Sequence, residues 1–401
     1  MIQLPDALKI LDDAARAFPV EMVSTDSAAG RLLTETLVTP TDVPAFPRSA
    51  MDGFAVRRDD MEAARTGRAL QVLETVAAGQ TPRETLRPGT AIQVMTGAEV
   101  PAEAELVVRV EYAEQSKGRV RFSNIETGSN IIRRGENARA GDAVVSPRLL
   151  QVHDVGVAAA HGYRELPVLQ APRVAVLSTG DELKEPGESL GPGEIYNSNA
   201  YQLLAHLRRY GCAPSYYGIA RDDPEALGAR LAQALPESDM LILSGGVSKG
   251  EYDYVPKLLA EQGVETRFHR VAMKPGRPTF FGTRDRERAG AGGRQYIFGL
   301  PGNPVSTYVA FEVFVRRLLY RLAGIDPAVP GFPVSLGSDL EHKDPARAEF
   351  VPVAIRGDEA LPVRYGGSSH LSALSTADGL VEIAVGTGRL EKGTRVHVRP
   401  L

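Results

Sequence analysis

The run Met240–Asp253, MLILSGGVSKGEYD, decides how this chain is read. Four apolar residues, Met240 to Leu243, are the length of a short buried strand. The strand breaks at Ser244-Gly245-Gly246, and a polar segment follows with Val247, Ser248, Lys249, Glu251 and Asp253. Two adjacent glycines remove the Cβ atoms that would keep a ligand's oxygens away from backbone N–H groups, so the loop suits an anion. Two other stretches are punctuated in the same way. His269–Pro278, HRVAMKPGRP, sets His269, Arg270, Lys274 and Arg277 around a turn at Pro275-Gly276. Gly299–Ser306, GLPGNPVS, carries Pro301, Gly302, Asn303 and Pro304 between a strand, Gln295 to Phe298, and a helix beginning near Val305. In doubly wound α/β sheets the ligand crevice lies beyond the carboxyl ends of the strands, so the three loops are expected to share one pocket.

Outward from that run the chain alternates strand and helix, as an α/β fold requires. Pro172 marks the start of the block. The strand Arg173 to Leu177 leads into Ser178-Thr179-Gly180-Asp181-Glu182, and Asn197-Ser198-Asn199 can cap a helix from Ala200 to Tyr210. The strand Ser215 to Ile219 ends at Arg221-Asp222-Asp223, and Pro224 fits the first turn of a helix reaching Ala234. Helices Val255 to Gln262 and Val305 to Leu322 complete the pattern. One aspartate in a loop is a turn, but Asp181/Glu182, Asp222/Asp223 and Glu251/Asp253 recur along one sheet edge. That repetition is better explained by a site that holds a divalent cation and orients phosphate. Carboxylates with water suit Mg²⁺, whereas Zn²⁺ would need a Cys and His supply that is poor here.

Before this block, the spacing of Ile2, Leu4, Leu8, Leu11, Ala15 and Phe18 predicts an amphipathic helix, and Ser24 to Leu37 reads as a second helix capped by Ser24 or Asp26. Pro40, Pro44 and Pro47 then force an extended path towards Met51-Asp52-Gly53, read on its own as a turn. From Ala69 to Phe122 the chain is strand-like, and Thr96-Gly97 reads as a strand-ending turn able to bind an oxyanion. Arg133 and Arg134 could clamp phosphate, although solvated arginines are the commoner case. Leu149 to Gly162 reads as helical. The tail from Gly331 has short alternating runs of a small β domain, in which Arg347 and Gly366-Gly367-Ser368-Ser369-His370 are the candidates for chemistry, with His370 read as a surface or hydrogen-bonding histidine in preference to a base. The expected architecture is multidomain α/β plus β. A helical and extended N-terminal domain (1–45 with 140–170) precedes an inserted β domain (46–139), a central doubly wound α/β domain (171–325) and a C-terminal barrel-like β domain (326–401).

Composition narrows the class. The 401 residues are 43% hydrophobic and 24% charged, with a net charge of −4, so a nucleic-acid footprint is not expected. Local charge matters more: Arg267 to Arg277 holds four Lys or Arg residues and no carboxylate. The lone Cys212 makes neither an internal disulfide nor a cysteine metal site, and no run resembles a signal peptide or a membrane helix, so a cytoplasmic protein is expected.

SAMDGFAVR, QVMTGAEVP, RVAVLSTGDEL, IARDDP, SGGVSKGEYDY, MKPGRP and GLPGNPVS stand together in an order and spacing that resemble the molybdopterin molybdenumtransferase family, to which the E domain of gephyrin is related. The resemblance covers nearly the whole chain. It implies an enzyme of molybdenum cofactor synthesis that binds adenylylated molybdopterin, accepts molybdate and, with Mg²⁺, releases AMP as molybdenum enters the dithiolene. It implies a homodimer with the pocket at the subunit interface, and transient contact with a molybdopterin adenylyltransferase.

Carried over by motif, the resemblance gives catalytic roles to Asp52, Thr96, Glu182, Asp222, Asp253, Arg270 and Lys274, with Glu182, Asp222 and Asp253 as metal ligands. Substrate contacts fall on Ser178, Gly180, Asp181, Ser244 to Ser248, Pro275 to Arg277, Pro301 to Pro304, Arg133 and Arg347. Arg270 stands where the family often has lysine, and Asn137 and Pro47 where it often has aspartate. Two other readings stay open, an adenylyltransferase of the same pathway and a noncatalytic carrier or scaffold.

Overall fold

The computed structural model describes residues 1–124, 128–246, 254–285, 293–327 and 331–401, without the side chains of 62–65. Lys249, Glu251 and Asp253, with Val247 and Ser248, lie outside the described residues. The chain forms two compact units, one of Met1–Glu35, Pro147–Val155 and Glu165–Leu401, the other of Thr36–Ser146 and Gly156–Arg164.

In the first unit a six-stranded sheet runs in the order Ala213–Ala220, Arg173–Thr179, Met240–Ser244, Arg294–Leu300, Phe280–Asp285, Glu265–His269. The first four strands are parallel and the last two antiparallel to their neighbours. Successive side chains of a strand point to opposite faces, and here both faces are apolar. Val174, Val176, Met240, Ile242, Tyr296 and Phe298 pack with the helix Ser198–Arg209 and with residues 305–322. Ala175, Leu177, Leu241, Leu243 and Ile297 pack with the helices Pro224–Glu237 and Val255–Glu261. Each such side chain, fully buried, contributes about 1.5–3 kcal/mol, which is why these strands read as continuous apolar runs. The register levels their ends: Thr179 pairs with Ala220, Ser178 with Ser244, and Ser244 with Leu300. Four loops therefore leave one edge of the sheet at the same height.

The long apolar segment expected from Val305 to Leu322 is helical but not uniform. Pro304–Ala310 and Arg316–Leu322 are α-helical, and Phe311–Val315 between them is a fully buried π-turn. At the N-terminus, Leu4–Ala14 is a helix that buries Leu4, Ala7, Leu11 and Ala14 along one stripe.

The second helix expected from Ser24 to Leu37 does not form. Val20–Ser24 is a strand paired with Glu165–Leu169, and only the single turn Thr25–Ser27 is helical. Gly30 sits at φ 79, and beyond it Leu32 and Leu33 bridge to Leu149 and Val168. Leu32, Leu33 and Leu37 are satisfied by strand-like pairing instead.

The C-terminal domain, also in the first unit, is a five-strand barrel. Its order is Ala348–Arg356, Glu359–Pro362, Phe332–Leu336, Arg395–Pro400, Gly379–Ile383, and pairing of the last strand with the first closes it. Val334, Leu336, Val353, Val381, Ile383, Val396 and Val398 form its core. The two-residue strand Met273–Lys274 adds to its Ala348–Arg356 strand.

The second unit holds a separate six-stranded sheet in the order Leu106–Arg109, Gly53–Val56, Thr90–Val94, Leu70–Val76, Arg119–Phe122, Ala113–Ser116. Met51-Asp52-Gly53 leads directly into a central strand. A Cβ on Gly53 would overlap the Val108 carbonyl oxygen, so the close approach of that neighbouring strand demands glycine here.

Candidate active site

The level strand ends of the first unit open into a cavity of about 930 Å³. All three glycine-punctuated loops line it, through Ser244-Gly245-Gly246, Met273 to Pro278 and Pro301 to Pro304. Gly180, Glu182 and Asp222 come from the two loops at one end of the sheet, and the C-terminal domain adds Arg347, Tyr365 and Gly367 to Ser369.

Backbone approach at its centre is enforced. Gly245 has φ 93 and Gly246 φ 63, a region that side chains with a Cβ rarely adopt. A Cβ on Gly246 would stand 2.8 Å from Thr179 Oγ1, and one on Gly245 would overlap the Thr179 carbonyl oxygen.

Asparagines organise the loops, and of these only Asn303 was expected to contact a ligand. Asn199 Nδ2 donates to Ser244 Oγ and to the Gly302 carbonyl oxygen, both at 2.7 Å. Ser178 is fully buried beneath the cavity, where its hydroxyl donates to Asn197 Oδ1 at 3.1 Å. Asn303 Nδ2 donates to Ser368 Oγ at 2.8 Å, tying the C-terminal domain to the third loop. The sequence marked Asn197 to Asn199 only as a helix cap, and Asn197 does cap by accepting from Ala200 N. Nothing local announces that Asn199, two residues on, reaches two other loops.

Charge is segregated by the sheet order. Glu182 and Asp222 follow the first two strands, whereas Lys274 and Arg277 follow the strand at the far end. Asp222 N donates to Asp181 Oδ1 at 3.3 Å. The Asp222 carboxyl is held above the usual carboxylate range by partial burial and by the repulsion of Asp181 and Glu182. Lys274 Nζ lies 2.7 Å from Glu349 Oε1, and Arg347 Nε 2.7 Å from Asp344 Oδ2. Arg277 is exposed and makes no ion pair among the described residues.

Arg270 does not line the cavity among the described residues. Its backbone at φ 71 accepts a hydrogen bond from Ile2 N and donates one to the Thr279 carbonyl oxygen. His370 Nδ1 accepts from Gly366 N at 3.1 Å, which leaves it a structural role. No group of three His, Cys, Asp or Glu side chains close enough to hold a metal ion occurs among the described residues, and the third expected ligand, Asp253, is not one of them.

Asp52, Thr96 and Arg133 belong to the second unit. Thr96 donates from both its backbone N and its hydroxyl to Asp52 Oδ1, at 2.7 and 2.8 Å. These bonds hold the Asp52 carboxyl below the usual range, so it stays ionised. Arg133 is exposed, and its backbone N donates to Glu136 Oε2.

Comparison with known proteins bears on what this site belongs to. Residues 2–162 match the MoeA N-terminal region (domain I and II), residues 175–321 a probable molybdopterin binding domain, and residues 336–401 the MoeA C-terminal region (domain IV). The chain is 36% identical over 404 residues, 97% of each sequence, to molybdopterin molybdenumtransferase 2 of Mycobacterium tuberculosis. The chain belongs to the molybdopterin molybdenumtransferase family. It is also 32% identical to the molybdopterin molybdenumtransferase of Bacillus subtilis, covering 94% of this chain and 89% of that one. The crystal structure of the molybdopterin biosynthesis moeA protein of Pyrococcus horikoshii OT3 superposes with a TM-score of 0.80 at 27% identity over the whole of both chains. That protein thus shares this chain's fold, and none of this chain's described helices is long and apolar enough to cross a membrane.

Proposed function

We propose that this chain inserts molybdenum into molybdopterin, taking adenylylated molybdopterin and molybdate as substrates and releasing AMP in a Mg²⁺-dependent reaction. What carries the reading is a single cavity with carboxylates after the strands at one end of the sheet, cationic side chains beyond the other, and glycine loops between. Lys274, Arg277 and Arg347 would hold phosphate and oxyanion oxygens, and the N–H groups of Gly245 and Gly246 would take further oxygens at close range. Arg270 and Arg133 would supply further positive charge. The crowding that raises the Asp222 carboxyl is what a hard cation relieves, and the all-oxygen donor set fits Mg²⁺. Glu182, Asp222 and Asp253 would hold it, and when bound it would neutralise charge on the pyrophosphate.

In this reading the protein works in the cytoplasm as a homodimer of four-domain chains with the domain limits set out from the sequence. The Asp52–Thr96 pair of one chain completes the pocket of its partner, and a molybdopterin adenylyltransferase delivers the substrate. The test is AMP release from adenylylated molybdopterin with Mg²⁺, with and without molybdate. Molybdate-dependent release that is lost in Asp222→Asn and Asp253→Asn is expected. Tight pterin binding with no release under any oxyanion would make the protein a carrier.

A further inference from the structure

Lys274 is joined to a carboxylate that does not itself line the cavity. Met273–Lys274 and Ala348–Glu349 form a two-residue parallel ladder in which Lys274 is the register partner of Glu349. The 2.7 Å contact between Lys274 Nζ and Glu349 Oε1 links a side chain that is 42% exposed to one that is 13% exposed. Behind Glu349 stands His342, whose ring is wholly buried. Its Nε2 lies 3.6 Å from Glu349 Oε2, and its Nδ1 lies 2.6 Å from the Thr387 carbonyl oxygen. A carbonyl only accepts, so Nδ1 donates in that bond, whereas Nε2 makes no hydrogen bond among the described residues.

We propose that Glu349 is a positioning residue of the molybdenum-insertion site, holding the Lys274 ammonium at the cavity wall. The inference rests on Lys274 being an anion-binding residue. The physical case has two parts. A lysine ends in a point charge on a flexible four-carbon stem, and it needs an external anchor to present that charge in one direction. Glu349 is such an anchor, because strand pairing fixes its backbone and its side chain is nearly buried beside the His342 ring. The second part concerns charge. Lys274, Arg277 and Arg347 together would attract an oxyanion strongly in every orientation, and uniform attraction lowers KM without raising kcat. One nearly buried carboxylate tempers that attraction and leaves orientation as the main contribution of Lys274.

The experiment compares the full-length protein with Glu349→Gln and Glu349→Asp by two readouts. The first is competitive acetylation of the Lys274 amine, followed by peptide mass spectrometry, which needs no turnover. Release of the amine from its carboxylate should raise Lys274 labelling clearly in Glu349→Gln and to an intermediate degree in Glu349→Asp, with the other lysines unchanged. The second is the molybdate dependence of AMP release. In Glu349→Gln the molybdate KM should fall or hold while kcat drops about tenfold to a hundredfold, the loss typical of a misplaced group. Unchanged labelling, or labelling that rises with both kinetic parameters at wild-type values, would overturn the proposal. If Glu349→Gln does not fold, Glu349→Asp decides by the same two readouts. A wild type without molybdate-dependent release would refute the functional reading, whereas Lys274 labelling would still decide whether Glu349 anchors the amine.

Discussion

The side-chain amide of Asn199 lies 2.7 Å from the Ser244 hydroxyl, and the same nitrogen donates at 2.7 Å to the carbonyl oxygen of Gly302. One buried side chain on the helix Ser198–Arg209 therefore fixes the two loops that leave the strands Met240–Ser244 and Arg294–Leu300. Asn199→Ala would leave a buried hydroxyl and a carbonyl unpaired, at a cost of about 1–3 kcal/mol. Urea denaturation should show that loss, and AMP release should fall about tenfold or more as the loops lose their mutual placement. Asn199→Asp, which has no amide N–H to donate, should behave alike.

Gly245→Ala tests the close approach at the cavity's centre. The added methyl overlaps the Thr179 carbonyl oxygen at a residue already at φ 93. Turnover should drop to background. Gly67→Ala is the control: at φ 80 with nothing within 4 Å of the new methyl, it should cost about 1–2 kcal/mol of stability and keep wild-type turnover.

Asp222 should make stability depend on pH and on Mg²⁺. Its carboxyl in the folded chain is raised above the ordinary 3.8 by partial burial and by the charges of Asp181 and Glu182. The folded state therefore binds that proton more tightly than the unfolded one. The stabilisation is complete below about pH 3.8 and is lost as pH rises through the raised folded value. At pH 7 in chelator, Asp222→Asn should unfold at a higher temperature than the wild type, and the difference should vanish in acid. Added Mg²⁺ should raise the wild-type midpoint more than that of the variant.

The π-turn carries a buried ion pair whose disruption should be costly. Arg316 Nε lies 3.4 Å from Glu312 Oε2, with side chains 2% and 6% exposed. Burial raises the Glu312 carboxyl, and Arg316 is the strongest influence opposing it. Arg316→Met should cost about 3–5 kcal/mol in urea unfolding, because it deprives the buried Glu312 carboxyl of its strongest charge partner. Making Glu312→Met as well should recover part of that loss.

Much of the fold could be read locally. The strand Met240–Ser244 and the helix Pro224–Glu237, capped by Asp223 with Pro224 in its first turn, follow from apolar length and capping chemistry. Ser24 to Leu37 misled for an equally physical reason. Its cap residues suit a helix, and the pairing of Leu32 with Leu149 and of Leu33 with Val168 draws on residues far along the chain. The site divides in the same way. Its glycine loops and acidic turns are conspicuous as text, whereas Tyr365 and Glu349 carry no local signal, because their relation to the site arises only when the barrel docks beside the sheet.

The alternation of strands and helices was legible without a structure, since it rests on residues close together in the chain, and the family was legible from seven motifs in order along most of it. That Asn199 joins Ser244 to Gly302, and that Lys274 meets Glu349 with His342 behind it, emerges only from the folded chain. Such partners are chosen by strand register and packing, and a shift of one residue in the ladder of Met273–Lys274 with Ala348–Glu349 would turn Lys274 away from Glu349.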